Sequence, residues 1–345
     1  MTVNHQWQKE PGARLQGSRE LDRSKLQGPC IVRVPSGGYR LYYTAVGPAK
    51  PFPACQGYIL SATSQDGLVF RTEPGIRLAP LPELPHMSLR VLVPTVTPCD
   101  DGRWRMYFES RGPADQPTVI CSAVSSDMLR WEYEDGIRLS GEESVRGPRY
   151  LKLPDGRGRL YCCGTDPAGL TKPAEHAQGV ISAITSDGLR FEPEPGFRMR
   201  GRQAEYDSGG ITAAQVIAPR AKGDRWSMVY SAWQDVPTGS EVPLHPSADS
   251  DAMANGRSED FAAASIAVDM AGYRSRVLVA HSNDGMDWGG TQCVIEGTGY
   301  GGDGLDAVHA EDMSVISIGD DRYRMYYAAC DTRGVWRIAS AVTRA

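Results

Sequence analysis

No stretch of this sequence approaches the roughly 18 consecutive apolar residues of a membrane-spanning helix. The start, MTVNHQWQKEPG, has no basic segment leading into an apolar run. Neither a membrane anchor nor a secretory leader is therefore expected, and the expected location is the cytoplasm. No Cys-x-x-Cys pair occurs among the eight cysteines, which argues against a structural zinc site. Without export the thiols are expected to be reduced. Cys162 and Cys163 are adjacent in a strand-like run and so face opposite ways, which does not suit a bond between them. No Gly-x-Gly-x-x-Gly sits between a strand and a helix, and neither a P-loop nor a nucleophile elbow is present, so no cofactor is expected. The net charge of −5 is built from interspersed signs, so no nucleic-acid partner is expected. A small molecule is the partner this leaves.

What is present is a repeat. SATSQDGLVFRTEPGIRL (Ser61 to Leu78), SAVSSDMLRWEYEDGIRL (Ser122 to Leu139) and SAITSDGLRFEPEPGFRM (Ser182 to Met199) share one pattern, and AHSNDGMDW (Ala280 to Trp288) is a divergent fourth copy. Their aspartates Asp66, Asp127, Asp187 and Asp284 are 61, 60 and 97 residues apart. Upstream of each copy lies an aromatic-rich run such as YRLYYT at Tyr39, and before that a shorter apolar strand; five such pairs occur, the last at EDMSVISIG and YRMYYAAC. A strand-rich period near 60 predicts the blades of a propeller. The C-terminal SAVTRA begins a repeat that WQKEPGARL at Trp7 completes. The expected fold is all-β: one five-bladed propeller domain over residues 1–345, closed by pairing the first strand with the last.

Antiparallel strands place connections alternately on two faces. The Ser-x-Asp-Gly turns crowd one face, where aspartate and glycine suit tight turns, so the repeated aspartates read as turn-formers. The other face carries longer loops, where function concentrates on a rigid scaffold. Blade four has 97 minus 60, or 37, extra residues there. This insertion, about 234–276, is expected to hold one helix and to serve as a lid or an oligomer contact.

The motifs P-x-V/I, G-x-Y-x-M-Y-Y and I-x-x-A-x-S-x-D-G-x-x-F, spread from Trp7 to Ala345, make the chain resemble the five-bladed glycoside hydrolases. Those include the arabinanase and β-xylosidase families, the invertase and levansucrase families, and the mannoside phosphorylases. The resemblance implies carboxylates near the axis at the start of the inner strands. Here the family's Asp-Pro is Gly28-Pro29, and its Ala-Pro-Asp is Val93-Pro94-Thr95.

Other acids fall on that face. Glu311 and Asp312 in LDAVHAEDMSV take the place of the lost Asp-Pro, and Glu311 aligns with Gly28, Val93, Gly147 and Ala213. Asp207 lies in EYDSGG, and Glu109 replaces the small residues Thr44, Cys163, Ser231 and Ala328 of the other blades. With His309 these form the catalytic candidates, since a bond between sugars is broken by paired carboxyls. Arg149, Arg146, Arg90, Glu143, Tyr206, His86, Thr95 and the insertion's His245 are the substrate-binding candidates, and no metal is expected. Glu109 has Arg90, Arg146 and Arg149 as candidate partners. Two rivals stand beside the hydrolase reading. One is a propeller recruited to cyclisation or elimination on a small acidic metabolite held by the arginines. The other is a binding propeller without a reaction.

Overall fold

In the computed structural model the described residues are 6–344 apart from 24, 47–55, 114–115, 166–177, 202–204, 208–209, 222, 236–272 and 300. Two N-terminal strands, β1 (Trp7–Lys9) and β2 (Leu15–Gln16), precede five antiparallel units. Unit one is β3 (Lys25–Arg33), β4 (Tyr39–Val46), β5 (Gly57–Ser64) and β6 (Arg71–Thr72). Unit two is β7 (Arg90–Pro98), β8 (Trp104–Arg111), β9 (Val119–Ser125) and β10 (Glu132–Leu139). Unit three is β11 (Arg146–Lys152), β12 (Gly158–Thr165), β13 (Gln178–Thr185) and β14 (Glu192–Arg200). Unit four is β15 (Gly210–Ile217), β16 (Trp226–Asp235), β17 (Tyr273–Ser282) and β18 (Gly289–Ile295). Unit five is β19 (His309–Gly319), β20 (Arg322–Cys330) and β21 (Trp336–Thr343), completed by β1 and β2. Two 3-10 turns, Pro85–Met87 and Glu205–Asp207, stand among the described residues. The helix expected in the insertion, and His245, lie outside them.

The runs of consecutive apolar residues follow from burial on both faces. Leu41 and Tyr43 of β4 enter the core shared with unit five, while Tyr42 between them enters the core shared with unit two. Cys162 and Cys163 likewise belong to different cores, as their adjacency predicts. Each unit shares one hydrophobic core with the next, and the core between units five and one completes the circle. The inner strands β3, β7, β11, β15 and β19 touch in that order, and β19 touches β3.

Polar side chains repeat the same closure. Glu73 accepts from Arg40 and from Ser61 Oγ. Glu134 does so with Arg105 and Ser122, and Glu194 with Arg159 and Ser182. In unit five the glutamate is Glu10, taken from the N-terminal segment, with Arg324 and Ser340. The strands pair as the split repeat requires, Trp7 with Thr343 and Leu15 with Ile338. Glu10→Ala should therefore lower stability by about 1–2 kcal/mol, because it orphans a largely buried guanidinium and hydroxyl. Gln8→Ala, exposed in the preceding strand β1, should unfold like the parent in the same urea titration.

Between units, a tyrosine reaches the turn of its neighbour. Tyr42 Oη donates to Met128 O at 2.6 Å, Tyr107 to Gly188 O at 2.8 Å and Tyr326 to Gly67 O at 2.7 Å. The turns themselves are built by the repeated aspartates. Asp66 Oδ1 accepts the amides of Leu68 and Val69, and these bonds hold its carboxyl down at about 2. Asp127, Asp187 and Asp284 make the same pair of bonds. Asp66→Asn should leave any catalytic rate unchanged, since asparagine also suits this turn; a rate loss with an intact fold would put the working face on the wrong side.

Candidate functional site

The inner strands carry one extra residue near their start. In unit one the register slips between Gln27 and Cys30, in unit two between Leu92 and Thr95, in unit three between Arg146 and Arg149, and in unit five between Glu311 and Ser314. Such a bulge re-aims the side chains beside it. Its left-handed residue is Gly28 (φ 55°), Val93 (φ 47°), Gly147 (φ 61°) or Asp312 (φ 51°). Two of these are not glycine, and a valine or aspartate held there marks a constrained position.

This corrects the alignment drawn from sequence. Asp312, not Glu311, matches Gly28, Val93 and Gly147. Glu311 matches Gln27, Leu92 and Arg146, each paired across from Thr44, Glu109, Cys163 or Ala328. Ala213 remains the counterpart of Glu311, since it faces Ser231; unit four carries its own irregularity earlier, between Ile211 and Ala213.

Three side chains cap these bulges across the unit boundaries. Thr44 Oγ1 accepts Val93 N–H, Glu109 Oε2 accepts Gly147 N–H and Ser231 Oγ accepts Asp312 N–H. Glu109 thus takes a role that two of its small counterparts, Thr44 and Ser231, share. Its other oxygen is ion-paired with Arg111 at 2.5 Å, not with Arg90, Arg146 or Arg149 as the sequence suggested.

Below the bulges the axis is closed by Arg149. Its guanidinium, almost wholly buried, donates to the carbonyls of Pro29, Pro94, Pro148 and Met313 at 3.0–3.4 Å. These carbonyls come from inner strands of four different units. The prolines suit the place, because a bulge leaves their nitrogens without a ladder partner. The donors of Arg149 therefore face protein and not a substrate anion. Arg146, half-buried, donates to Gln178 Oε1.

Above this plug sits Asp312. Burial first, and the neighbouring Glu311 next, push its carboxyl up to about 7, against the pull of Arg149 and Lys25; the charge of Glu109 reaches it too. Glu311 is buried and accepts Trp233 Nε1–H at 3.0 Å. His309 stacks on Trp336 at 5.4 Å between centroids, and its Nδ1 shares a hydrogen bond with Ser275 Oγ. Lys25 covers the same Trp336 ring at 4.5 Å. Lys25, Arg90 and His309 stand at one repeat position, two residues before Gln27, Leu92 and Glu311. All three are buried.

The structure thus brings Glu311 and Glu109 within electrostatic reach of Asp312, with His309 two residues before Glu311 at the start of the same strand. Other candidates lie elsewhere. Asp207 sits in the 3-10 turn before β15 beside Tyr230, whose phenol burial raises to about 12 with help from Asp207. Asp22 with Tyr43 and Asp306 with Tyr327 make hydrogen-bonded pairs at the corresponding place in units one and five, whereas Tyr230 donates to Thr291. Tyr206 packs on the core between units three and four. His86 reaches Tyr133 of the outer strand β10. Thr95 Oγ1 accepts Tyr150 N–H, and Glu143 is exposed. Lys25, Trp233 and Trp336 were not among the candidates; aligning KLQGP with RVLVP and HAEDM would have exposed Lys25. Among the described residues no cluster of three or more His, Cys, Asp and Glu is arranged to hold a metal, and no helix is long and apolar enough to cross a membrane.

No family model matches the chain, and no curated protein matches it. Solved structures do. A thermostable family-43 glycoside hydrolase is 13% identical with a TM-score of 0.60, over 96% of this chain and 90% of that one. The β-1,2-mannobiose phosphorylase of Listeria innocua is 12% identical with a TM-score of 0.65, over 97% and 96%. An N-acetylgalactosamine deacetylase from F. plautii is 15% identical with a TM-score of 0.61, over 97% and 95%. At such identities the likeness is one of fold, and one fold carries several reactions. The chain has the fold of the propeller glycoside hydrolases, and its reaction has to be argued from its own residues.

Proposed function

We propose that the five units are the blades of a single five-bladed propeller, and that its axial pocket cleaves a small glycoside. Asp312 is the proton donor. It is the one carboxyl at the bulge position of the inner strands, and its raised pKa keeps a proton on it near neutrality. That observation carries the reading, because a general acid works best with a pKa near the working pH. Glu109, ion-paired with Arg111, stands on unit two, which is not a neighbour of unit five. As Asp312 protonates the glycosidic oxygen and the bond to the anomeric carbon breaks, a water attacks that carbon and gives its proton to Glu109. Glu311, anchored by Trp233, stands beside Asp312 and holds the acid's pKa up. The pair is thus Asp312 with Glu109, rather than Glu311 with Asp312 or Asp207. Arg149, which favoured an acidic metabolite, donates to main-chain carbonyls, and Arg146 donates to Gln178.

A panel of 4-nitrophenyl glycosides, assayed with and without inorganic phosphate, tests this. At least one should release nitrophenol, and Glu109→Gln should slow that release by about a hundredfold or more. The phosphate arm separates hydrolysis from phosphorolysis, which one of the similar folds performs. No release from any member under either condition would end the glycoside reading.

A further inference from the structure

Units four and five meet differently from the other pairs. At the place of Tyr42, Tyr107, Tyr161 and Tyr326, whose rings face the next unit, unit four has Val229. The arginine of the Arg–Glu–Ser triad is replaced by Ser227, the serine by Val279 and the glutamate by Gln292. Unit five lacks the other half of the contact. Its third strand ends at Thr343 and its fourth begins at Trp7, so no Ser-x-Asp-Gly turn joins them to fill the seam.

The two losses coincide in space and leave a cavity of about 320 Å³. That is near the lower end of roughly 300–1,000 Å³ for small-molecule sites. It opens beside the hairpin between β15 and β16, on the face opposite to Asp312. Val229, Val279 and Val294 line it as the rim of the core, with the half-buried rings of Trp7 and Tyr323. Its polar groups are of two kinds. Ser227 Oγ and His281 Nδ1 share a hydrogen bond at 3.2 Å, and Gln292 stands exposed on the rim. Arg220 is ion-paired with Asp321, and Arg225 and Asp224 add one charge of each sign. Burial lowers the pKa of His281, so the ring adds no charge at neutral pH.

A charge-balanced lining repays neither an anion nor a cation. Aromatic and valine surfaces beside amide, hydroxyl and imidazole suit a ligand with an apolar face edged by hydroxyls. We propose that this seam cavity is a second binding site, for one or two rings of a neutral sugar. The sugar class is taken from the glycoside reading and rests on it, while the site itself uses none of the axial acids.

Methyl glycosides of glucose, mannose, galactose, xylose and arabinose, followed by saturation-transfer NMR, supply the test. At least one should give signal with the parent and equally with Asp312→Asn. Val229→Tyr places in the seam the residue the other units carry, and should remove the seam's share of that signal while melting like the parent. Gln292→Ala, an exposed change that spares the fold, should weaken binding about tenfold, the loss of one hydrogen bond's worth. No signal from any sugar overturns the proposal. So does signal that a folded Val229→Tyr leaves undiminished, since the axis, which still binds sugar in Asp312→Asn, then accounts for all of it. Should Val229→Tyr fail to fold, Gln292→Ala decides alone, and unchanged affinity overturns it. Seam binding without nitrophenol release keeps this site and loses the catalytic reading; release without seam binding does the reverse.

Discussion

Arg149→Met will lower the stability of the fold by about 3 kcal/mol, the largest loss expected from any single change outside the hydrophobic cores. The guanidinium bridges carbonyls of four inner strands, and each buried acceptor left unpaired costs roughly 1–3 kcal/mol. Relief of burying a charge offsets part of that sum. Arg149→Lys will recover little, because one ammonium cannot fork to four strands. Removing the charge also removes a pull on Asp312, so the Asp312 carboxyl should titrate at higher pH in Arg149→Met. Urea denaturation and the pH profile read the two effects separately. A variant that unfolds like the parent would show that the plug does not tie the strands together.

The architecture was legible because it is written five times over. The Ser-x-Asp-Gly turns and the aromatic second strands set the period, and the divided repeat at Trp7 and Ser340 announced the closure that β1 and β21 make. Glu10 is the sharpest case, since its counterparts Glu73, Glu134 and Glu194 recur in the same EPG or EDG setting and make the same bonds. The alignment of the inner strands was legible only to within one residue. A bulge adds a residue to the inner strand without any mark in composition, so Glu311 was aligned where Asp312 stands. The partners of Arg149 were not legible for a related reason. Arg149 is a cation at a functional end of a strand, but its partners are main-chain carbonyls, which no side-chain motif records. Asp207 matched no motif, because its nearness to Tyr230 joins two elements distant in sequence.

Asp312→Asn carries the second large effect. Folded Asp312 titrates near 7 while an unfolded aspartate titrates at its ordinary value of 3.8. Between those values the folded chain holds a proton that the unfolded chain has released, so stability falls as pH rises. The contribution is full below 3.8, declines up to about 7 and is absent above. In Asp312→Asn this decline should vanish, leaving the variant at least as stable as the parent at pH 8. Catalysis should fall in the same direction. A proton donor must be protonated, so kcat/KM of the parent should fall with a limb near pH 7.

The most direct measurement is nitrophenol release from the best 4-nitrophenyl glycoside by the parent and by Asp312→Asn, across pH 5 to 9. The account predicts a loss of about a thousandfold or more in kcat for the variant, with KM little changed and the alkaline limb gone. A folded Asp312→Asn that turns over within a few-fold of the parent, with the same limb near pH 7, would contradict it.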